Sequence, residues 1–270
     1  MKLILFKVFV RLLGIRNYLL KIILSKLGIG NSRTIYEITS KYVLRDNKIR
    51  HSLPSLIYSK EDLTTTPELV QIIADASKIA SKRILKCGKN NLPDSKFLNI
   101  FPGEHYRLIN AIVETVNAKE IVEIGTFTGM GSLSLKEGFK DVSVTTYDII
   151  KWDKLDFPSH FDHKDFNESL KQIIGDLSDD KFFERNLDIL NDADLIFMDA
   201  PKDNVFEYKM VKQLKKLNKK NKKLLILDDI LFVNMIDFWR KIKSPKVDAS
   251  SFGHWSGTGI VDISNGFLYE

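Results

Sequence analysis

The 270-residue sequence predicts an α/β fold built around a mostly parallel β-sheet. Two observations support this prediction. Residues 121–132 read I-V-E-I-G-T-F-T-G-M-G-S, which indicates a strand, a tight glycine loop and the start of a helix. Further along the chain, short apolar stretches end in acidic residues, as buried parallel strands often do. Together these features favour a fold that binds a nucleotide cofactor at its first strand–helix turn.

The spacing of the glycine loop helps to choose the cofactor. Its order is E-x-G-x-x-x-G-x-G, not the G-x-G-x-x-G of dinucleotide-binding folds. This order resembles motif I of the S-adenosylmethionine (SAM)-dependent methyltransferases, which have a Rossmann-like fold. An acidic residue at the end of the strand, Glu123, suits the cationic aminoacyl end of SAM. An ordinary turn with incidental glycines is the alternative. The resemblance implies that the loop contacts the cofactor through Glu123, Gly125, Phe127, Gly129, Gly131 and Ser132.

The positive charge of the chain is concentrated at its N-terminus. Residues 1–30 contain six basic residues and no acidic residue, whereas the rest of the chain has 35 basic and 35 acidic residues. A nucleic-acid-binding domain would carry an excess of basic residues itself, so we expect no nucleic-acid partner. Cys87 is the single cysteine. This excludes an internal disulfide framework and fits a cytoplasmic location.

Residues 1–30 are apolar and basic, but charges interrupt every apolar stretch before it reaches the length of a transmembrane helix. The charges are spread around the helical wheel instead of marking one face. We therefore favour two short helices that dock on the body of the protein or on a second copy in a homodimer. Weak contact with a membrane surface is the alternative.

A helix is predicted from Pro67 to about Leu85, with Thr66 as its N-cap. The polar stretch 88–93 then breaks it. We place a domain boundary there, with residues 1–95 forming an N-terminal helical extension and residues 96–270 forming the catalytic domain.

The second and third predicted strands supply further cofactor contacts. Residues 142–148 form a strand that ends in Asp148, 17 residues after Gly131. A carboxylate at this position accepts hydrogen bonds from the ribose hydroxyls. Residues 172–176 form a third strand and turn. The resemblance to SAM-dependent methyltransferases implies that this turn faces the adenine and that Asp176 bonds the adenine amino group. The insertion 150–165 is a lid or a surface loop. His160 and His163 within it could be metal ligands, but we favour the interpretation that they are isolated surface histidines.

Two later strands end in acidic residues. The stretch 194–199 ends in Asp199, with Lys202 three residues later, and the stretch 224–229 ends in Asp228 and Asp229. Parallel strands end at the same edge of a sheet, so these carboxylates should converge beside the cofactor. Clustered carboxylates suit a hard divalent cation, Mg²⁺ or Mn²⁺.

This combination resembles the metal-dependent O-methyltransferases of the catechol and caffeoyl-CoA type over residues 97–270. The matching elements are the glycine loop, Asp148, the D-x-x-K of Asp199 and Lys202, and Asp228. Asp229 departs from the pattern, because the family usually has asparagine there.

The resemblance implies a Rossmann-like, seven-stranded, mostly parallel sheet that ends in a C-terminal antiparallel hairpin. It also implies a metal ion held by Asp199, Asp228 and Asp229, with Asp199 and Lys202 as catalytic residues and Lys202 as the base. The alternatives are that Lys202 is a surface or salt-bridged lysine and that the paired aspartates cap a helix.

We therefore expect a SAM-dependent enzyme that methylates an oxygen of a small hydroxylated metabolite or a sugar, with possible help from Mg²⁺ or Mn²⁺. Three alternatives remain open. One is metal-independent transfer with a histidine base, such as His105 or His254. The second is a non-catalytic SAM-binding module, which the presence of both Asp199 and Lys202 disfavours. The third is an NAD-dependent oxidoreductase, which the glycine spacing disfavours.

Overall fold

A computed structural model of the chain describes residues 65–220, 222–232 and 235–270. The predicted contacts of residues 1–30 with a membrane surface or a second subunit lie outside these residues. Within the described part of the chain, none of the helices has both the length and the apolar character needed to cross a membrane.

The chain alternates strands and helices over most of the described region. The helices are α1 (Pro67–Lys82), α2 (Tyr106–Val116), α3 (Met130–Lys136), α4 (Asp180–Arg185), α5 (Leu187–Asp192), α6 (Phe206–Leu214) and α7 (Met235–Lys241). The strands are β1 (Glu120–Ile124), β2 (Ser143–Asp148), β3 (Leu170–Ile174), β4 (Leu195–Met198), β5 (Leu224–Asp228), β6 (Lys246–Asp248) and β7 (Thr258–Asp262). Short 3₁₀ turns lie at Ser95–Asn99, Trp152–Lys154 and His163–Asp165.

The seven strands form one sheet in the order β3-β2-β1-β4-β5-β7-β6. Strands β1 to β5 pair in parallel, and β7 is antiparallel to both of its neighbours, β5 and β6. This confirms the predicted Rossmann-like sheet with a C-terminal antiparallel hairpin. The strand order reverses between β1 and β4, and ligands bind in the crevice at such a switch point, beside the carboxyl ends of the strands.

Helices cover both faces of the sheet, as the apolar strands require. On β4, Leu195 and Phe197 belong to one core with α1, α2 and α3. The alternate residues Ile196 and Met198 belong to a second core with α4 to α7. The central strands are therefore buried on both faces, and their carboxyl ends remain to form a site.

Helix α1 begins as predicted, because the Thr66 hydroxyl accepts a hydrogen bond from the Leu69 amide at 3.3 Å. It ends at Lys82, three residues earlier than predicted, where Arg83 becomes extended. Its buried residues, among them Ile73 and Ala80, share the core of α2. The division of the chain at residue 95 stays a prediction.

The insertion 150–165 is anchored by aromatic residues. Trp152 and Phe161 are buried and belong to the core around α2. The interpretation of His160 as a surface histidine is wrong, because its ring is buried. Its Nδ1 accepts a hydrogen bond from the Lys89 amide at 3.1 Å, and its Nε2 lies 3.0 Å from an Asp94 carboxylate oxygen. His160 therefore ties the insertion to the segment before α2.

Candidate active site

The glycine loop after β1 lies against the end of β4. Gly125 has φ +104°, and a Cβ added there would overlap the backbone oxygen of Asp199. Gly129 has φ +91°, and a Cβ there would overlap the ring of Phe161. Both positions therefore require glycine, for backbone conformation and for space. The loop is held between the acid-bearing end of β4 and the aromatic insertion.

Asp148 at the end of β2 organises this loop. Its Oδ2 accepts hydrogen bonds from the amides of Thr126 and Phe127, each at 3.0 Å. Its Oδ1 accepts one from the Ile150 amide, also at 3.0 Å. A carboxylate has about four acceptor positions, so capacity remains for a ligand hydroxyl. Asp148 thus lines the site and shapes the loop beside it.

Glu123 lies beneath the loop and is only 1% exposed. Its Oε2 accepts hydrogen bonds from the hydroxyls of Ser132 and Thr146, the second at 2.6 Å. Burial raises the pKa of Glu123 to about 8, although these two hydrogen bonds oppose the rise. The absence of a Cβ at Gly131 leaves room for the other carboxylate oxygen. In this structure Glu123 is a buried support of the loop.

A cavity of about 610 Å³ opens at the carboxyl ends of β1, β2 and β4. The predicted cofactor contacts that line it are Gly125, Phe127, Asp148, Asp176 and Asp199. Four predicted contacts are not among its lining residues: Glu123, Gly129, Gly131 and Ser132. The insertion adds Phe157, whose ring centroid lies 5.8 Å from that of Phe127. These two rings are 60% and 56% exposed, so they present an aromatic surface to the cavity.

The three predicted metal ligands lie together. Asp199, Asp228 and Asp229 each offer a carboxylate oxygen within 4.8 Å of the others. Lys202 lies between two of them, with its Nζ 2.5 Å from Asp199 Oδ1 and 3.1 Å from Asp229 Oδ2. Lys202 therefore does form the salt bridge that was the alternative to a catalytic role. Burial lowers the pKa of Lys202, but the attraction of the three carboxylates outweighs burial and raises it.

Two histidines lie close enough to the Asp228 carboxylate to offset its negative charge. His105 precedes α2, and its Nδ1 lies 3.2 Å from Asp228 Oδ1. His254 comes from the loop before β7, and its Nδ1 lies 3.4 Å from the same oxygen and 3.2 Å from Asp229 Oδ1. Burial opposes the charge of His254, but Asp228 and Asp229 outweigh it and raise its pKa to about 10. Both histidines have raised pKa values, so neither resembles the neutral base of the metal-independent alternative.

Sequence reasoning named these histidines only as possible bases and gave Ser256 no role. Glu104 Oε2 lies 3.4 Å from His254 Nε2, and the Ser256 hydroxyl donates a hydrogen bond to Asp229. The only signal in the sequence was the G-H-W-S-G loop, residues 253–257, which reads equally well as a turn.

The donor set at the ends of β4 and β5 fits a divalent cation. Three carboxylates supply the oxygen ligands that Mg²⁺ and Mn²⁺ prefer. Asp228 is 3% exposed, and its Oδ1 has no hydrogen-bond partner in the described part of the chain. The same oxygen lies 3.2 Å from His105 Nδ1 and 3.4 Å from His254 Nδ1, so the charge of the two histidines offsets its burial.

A doubly wound sheet of this strand order, with a glycine loop and acid-ended strands at one edge, defines a cofactor-dependent α/β enzyme. The sequence profile of the O-methyltransferase family matches residues 90–237. The chain therefore belongs to the O-methyltransferase family, and by that membership it is a SAM-dependent methyltransferase.

Solved structures with related folds include a putative caffeoyl-CoA O-methyltransferase from Staphylococcus aureus. That match has 17% identity and a TM-score of 0.40, and covers 83% of this chain and 99% of the other. The methyltransferase PaMTH1 of Podospora anserina, solved with S-adenosylhomocysteine (SAH), matches at 15% identity and a TM-score of 0.42, over 89% and 97% of the two chains.

The MycE methyltransferase of mycinamycin biosynthesis, solved with Mg, SAH and mycinamycin VI, matches at 16% identity and a TM-score of 0.32. The match covers 41% of this chain and 29% of the MycE chain. A comparison with curated protein sequences found no match. The assignment to the family therefore rests on the sequence profile.

Proposed function

We propose that the enzyme transfers the methyl group of SAM to a hydroxyl of a small metabolite or a sugar that carries two neighbouring hydroxyls, with help from a divalent cation. One observation carries this proposal: Asp199, Asp228 and Asp229 meet beside Lys202. Asp199 belongs both to this cluster and to the lining of the cofactor cavity. The cluster is thus placed to hold an acceptor against the methyl donor.

The cofactor roles that we assign follow from position. Asp148 has remaining acceptor capacity for the ribose hydroxyls, and Asp176 lines the same cavity on the side of β3. Gly125 allows a ligand to approach the backbone closely, and Phe127 offers an apolar ring. Glu123, Gly129, Gly131 and Ser132 act through the shape of the loop.

The acceptor roles follow from charge. A divalent cation, when bound, would supply positive charge that lowers the pKa of a coordinated hydroxyl and of the neighbouring Lys202. Asp199, Asp228 and Asp229 would hold this cation. Lys202 would first lose its own proton to solvent as its pKa falls, and its neutral Nζ would then accept the proton of the hydroxyl. Methyl transfer from a sulfonium requires an acceptor that is deprotonated and aligned.

The remaining expectations are also proposals. We assign methyl transfer to residues 96–270 and a helical extension to residues 1–95, which are available for a homodimer contact or for weak membrane-surface contact. We expect a cytoplasmic enzyme without a nucleic-acid partner. The support is the single cysteine and the even charge balance after residue 30.

A methyl-transfer assay tests the proposed function. The chain is incubated with SAM labelled in its methyl group and a panel of catechols, vicinal diols and sugars, with Mg²⁺, with Mn²⁺ or with EDTA. We expect label on an acceptor oxygen, more of it with a cation than with EDTA. If label appears equally in EDTA, the cation has no part in the reaction.

The base is tested by Lys202→Met, with the exposed Lys219→Met as its matched control. General-base catalysis contributes about 100- to 10,000-fold, so Lys202→Met should lose activity in that range while it still binds SAH. Lys219→Met should behave as the wild type. An active Lys202→Met enzyme would show that Lys202 serves only as the salt-bridge partner of Asp199 and Asp229.

A further inference from the structure

Asp228 belongs to two groups of potential metal ligands. One is the carboxylate cluster described above. The other consists of His105, Asp228 and His254, whose ligand atoms also lie within 4.8 Å of one another. This second group contains two imidazoles and one carboxylate. Its chemistry differs from that of the all-carboxylate cluster, and the proposed methyl transfer assigns it no role.

The distances within this group match those of ligands on one ion. The Nδ1 atoms of His105 and His254 lie 3.2 Å and 3.4 Å from Asp228 Oδ1. Ligands bound about 2.1 Å from a metal, at octahedral or tetrahedral angles, lie about 3.0 to 3.4 Å from each other. Each imidazole nitrogen therefore lies at the distance from the carboxylate oxygen that two ligands of one ion have, and all three ligand atoms lie within 4.8 Å of one another.

Three buried atoms of His105 and Asp228 lack hydrogen-bond partners in the described part of the chain, whereas His254 Nδ1 lies 2.7 Å from the Ser256 hydroxyl and 3.2 Å from Asp229 Oδ1. His105 is 2% exposed, and neither of its ring nitrogens has a hydrogen-bond partner in the described part of the chain. The same is true of Asp228 Oδ1. His105 Nε2 has neither a hydrogen-bond partner nor an ion-pair partner there, whereas His105 Nδ1 and Asp228 Oδ1 face each other as an ion pair. The 3.2 Å between His105 Nδ1 and Asp228 Oδ1 is the distance of an ion pair and equally that of two ligands on one ion.

The surroundings of His254 fit a metal-binding histidine. Such a histidine usually gives its second ring nitrogen to a carboxylate, which orients the ring. Glu104 Oε2 lies 3.4 Å from His254 Nε2, on the side of the ring away from Asp228. The Gly103 amide donates a hydrogen bond to the Gly253 carbonyl at 3.1 Å, and this bond holds the two loops together.

We propose that His105, Asp228 and His254 bind one divalent transition-metal ion. Two imidazoles and one carboxylate suit ions such as Fe²⁺, Co²⁺, Ni²⁺ and Zn²⁺ better than Mg²⁺. Three protein ligands leave coordination positions open, as catalytic metal sites do. The proposal concerns a site of its own and does not depend on methyl transfer, although Asp228 is common to both groups.

Cobalt provides the test, because the visible absorption of Co²⁺ reports its ligands and geometry. Metal-free protein is titrated with Co²⁺ alone. We expect an intense visible band that saturates at one ion per chain. His105→Gln and His254→Gln should each bind Co²⁺ at least tenfold more weakly. His163→Gln, which changes an exposed histidine, and Asp199→Asn, which changes only the carboxylate cluster, should retain the band.

The proposal is overturned if both histidine variants bind Co²⁺ as the wild type does, since the imidazoles would then only balance the carboxylate charges. If a variant does not fold, pulsed electron paramagnetic resonance of Mn²⁺ on the wild-type chain decides. Coupling to imidazole nitrogen is expected, and its absence overturns the proposal. SAH binding, measured on the same samples, tests the cofactor site separately, so the two proposals fail independently.

Discussion

Two buried carboxyl groups at the ends of parallel strands behave in opposite ways. Glu123 on β1 and Asp228 on β5 are 1% and 3% exposed. Burial raises the pKa of Glu123 to about 8, and hydroxyl donors only moderate that rise. Burial also acts to raise the pKa of Asp228, but His105, His254 and Lys202 outweigh it, and the pKa is lowered.

This difference in pKa distinguishes the glycine loop, which Glu123 supports, from the charged cluster around Asp228. Glu123 stays protonated near neutral pH and holds the glycine loop by hydrogen bonds. Asp228 stays ionised because His105, His254 and Lys202 surround it, and the two imidazoles form ion pairs with its Oδ1. Glu123 and Asp228 are almost equally buried, yet Glu123 is a neutral group that supports the loop and Asp228 is an ionised carboxylate. The charges of the neighbouring residues decide the protonation state of each.

The largest of the effects expected here comes from disturbing the contact between the glycine loop, at Gly125, and the end of β4, at Asp199. In Gly125→Ala the new Cβ would overlap the backbone of Asp199, which cannot move without displacing the end of β4. We expect SAH affinity to fall by at least about tenfold and the free energy of unfolding to fall by about 2 kcal/mol or more. Calorimetry and chemical unfolding measure these losses.

Gly138→Ala is the matched control. Gly138 also has positive φ, +85°, but a Cβ there meets no atom within 4 Å. It should lose only the cost of the backbone conformation, about 1 kcal/mol, and keep its SAH affinity. Equal effects of the two substitutions would mean that contact with Asp199 is unimportant.

A second test asks whether Glu123 is neutral. The folded-state pKa, about 8, lies above the ordinary value of 4.5. The stability that this group contributes is therefore complete below pH 4.5 and is lost as the pH rises through about 8. Glu123→Gln does not titrate, so its stability relative to the wild type should improve from pH 5 to pH 8, by about 1 kcal/mol or more. Unfolding by urea at both pH values measures this difference. A constant difference would indicate that Glu123 is ionised.

The smallest expected effect concerns the aromatic surface beside the cavity. Phe157→Ala removes the partner of the Phe127 ring. Such aromatic contacts contribute about 0.5 to 1.5 kcal/mol, so SAH affinity should fall about two- to tenfold. Phe252→Ala, an exposed phenylalanine that does not line the cavity, should leave the affinity unchanged. A loss of SAH affinity of equal size in both variants would mean that the aromatic surface of Phe127 and Phe157 has no specific part in SAH binding.

The convergence of the acidic residues could be predicted from the sequence because it depends on the backbone alone. Apolar strands that end in Asp199 and Asp228 must bring these residues to one edge once the strands are parallel. The third strand was predicted with its turn at 172–176; in the structure β3 ends at Ile174 and begins two residues before that stretch, at Leu170.

The partners of these acids could not be predicted in the same way. His105 and His254 contact Asp228 from loops that are far apart in the sequence. No periodic pattern in a sequence indicates a contact of this kind. The burial of Glu123 depends on how its side chain turns beneath the loop. The core positions of Trp152 and Phe161 depend on tertiary packing that an irregular segment does not reveal.

The most direct test of the central claim is calorimetric titration of the wild-type chain with SAH, first with Mg²⁺ or Mn²⁺ and then with EDTA. We expect one SAH site per chain with micromolar affinity. The cation should either tighten SAH binding or, if it enters the site only with the acceptor, leave the SAH affinity unchanged. A folded chain that does not bind SAH under either condition would contradict the assignment of the β1–β2–β4 cavity as a SAM site.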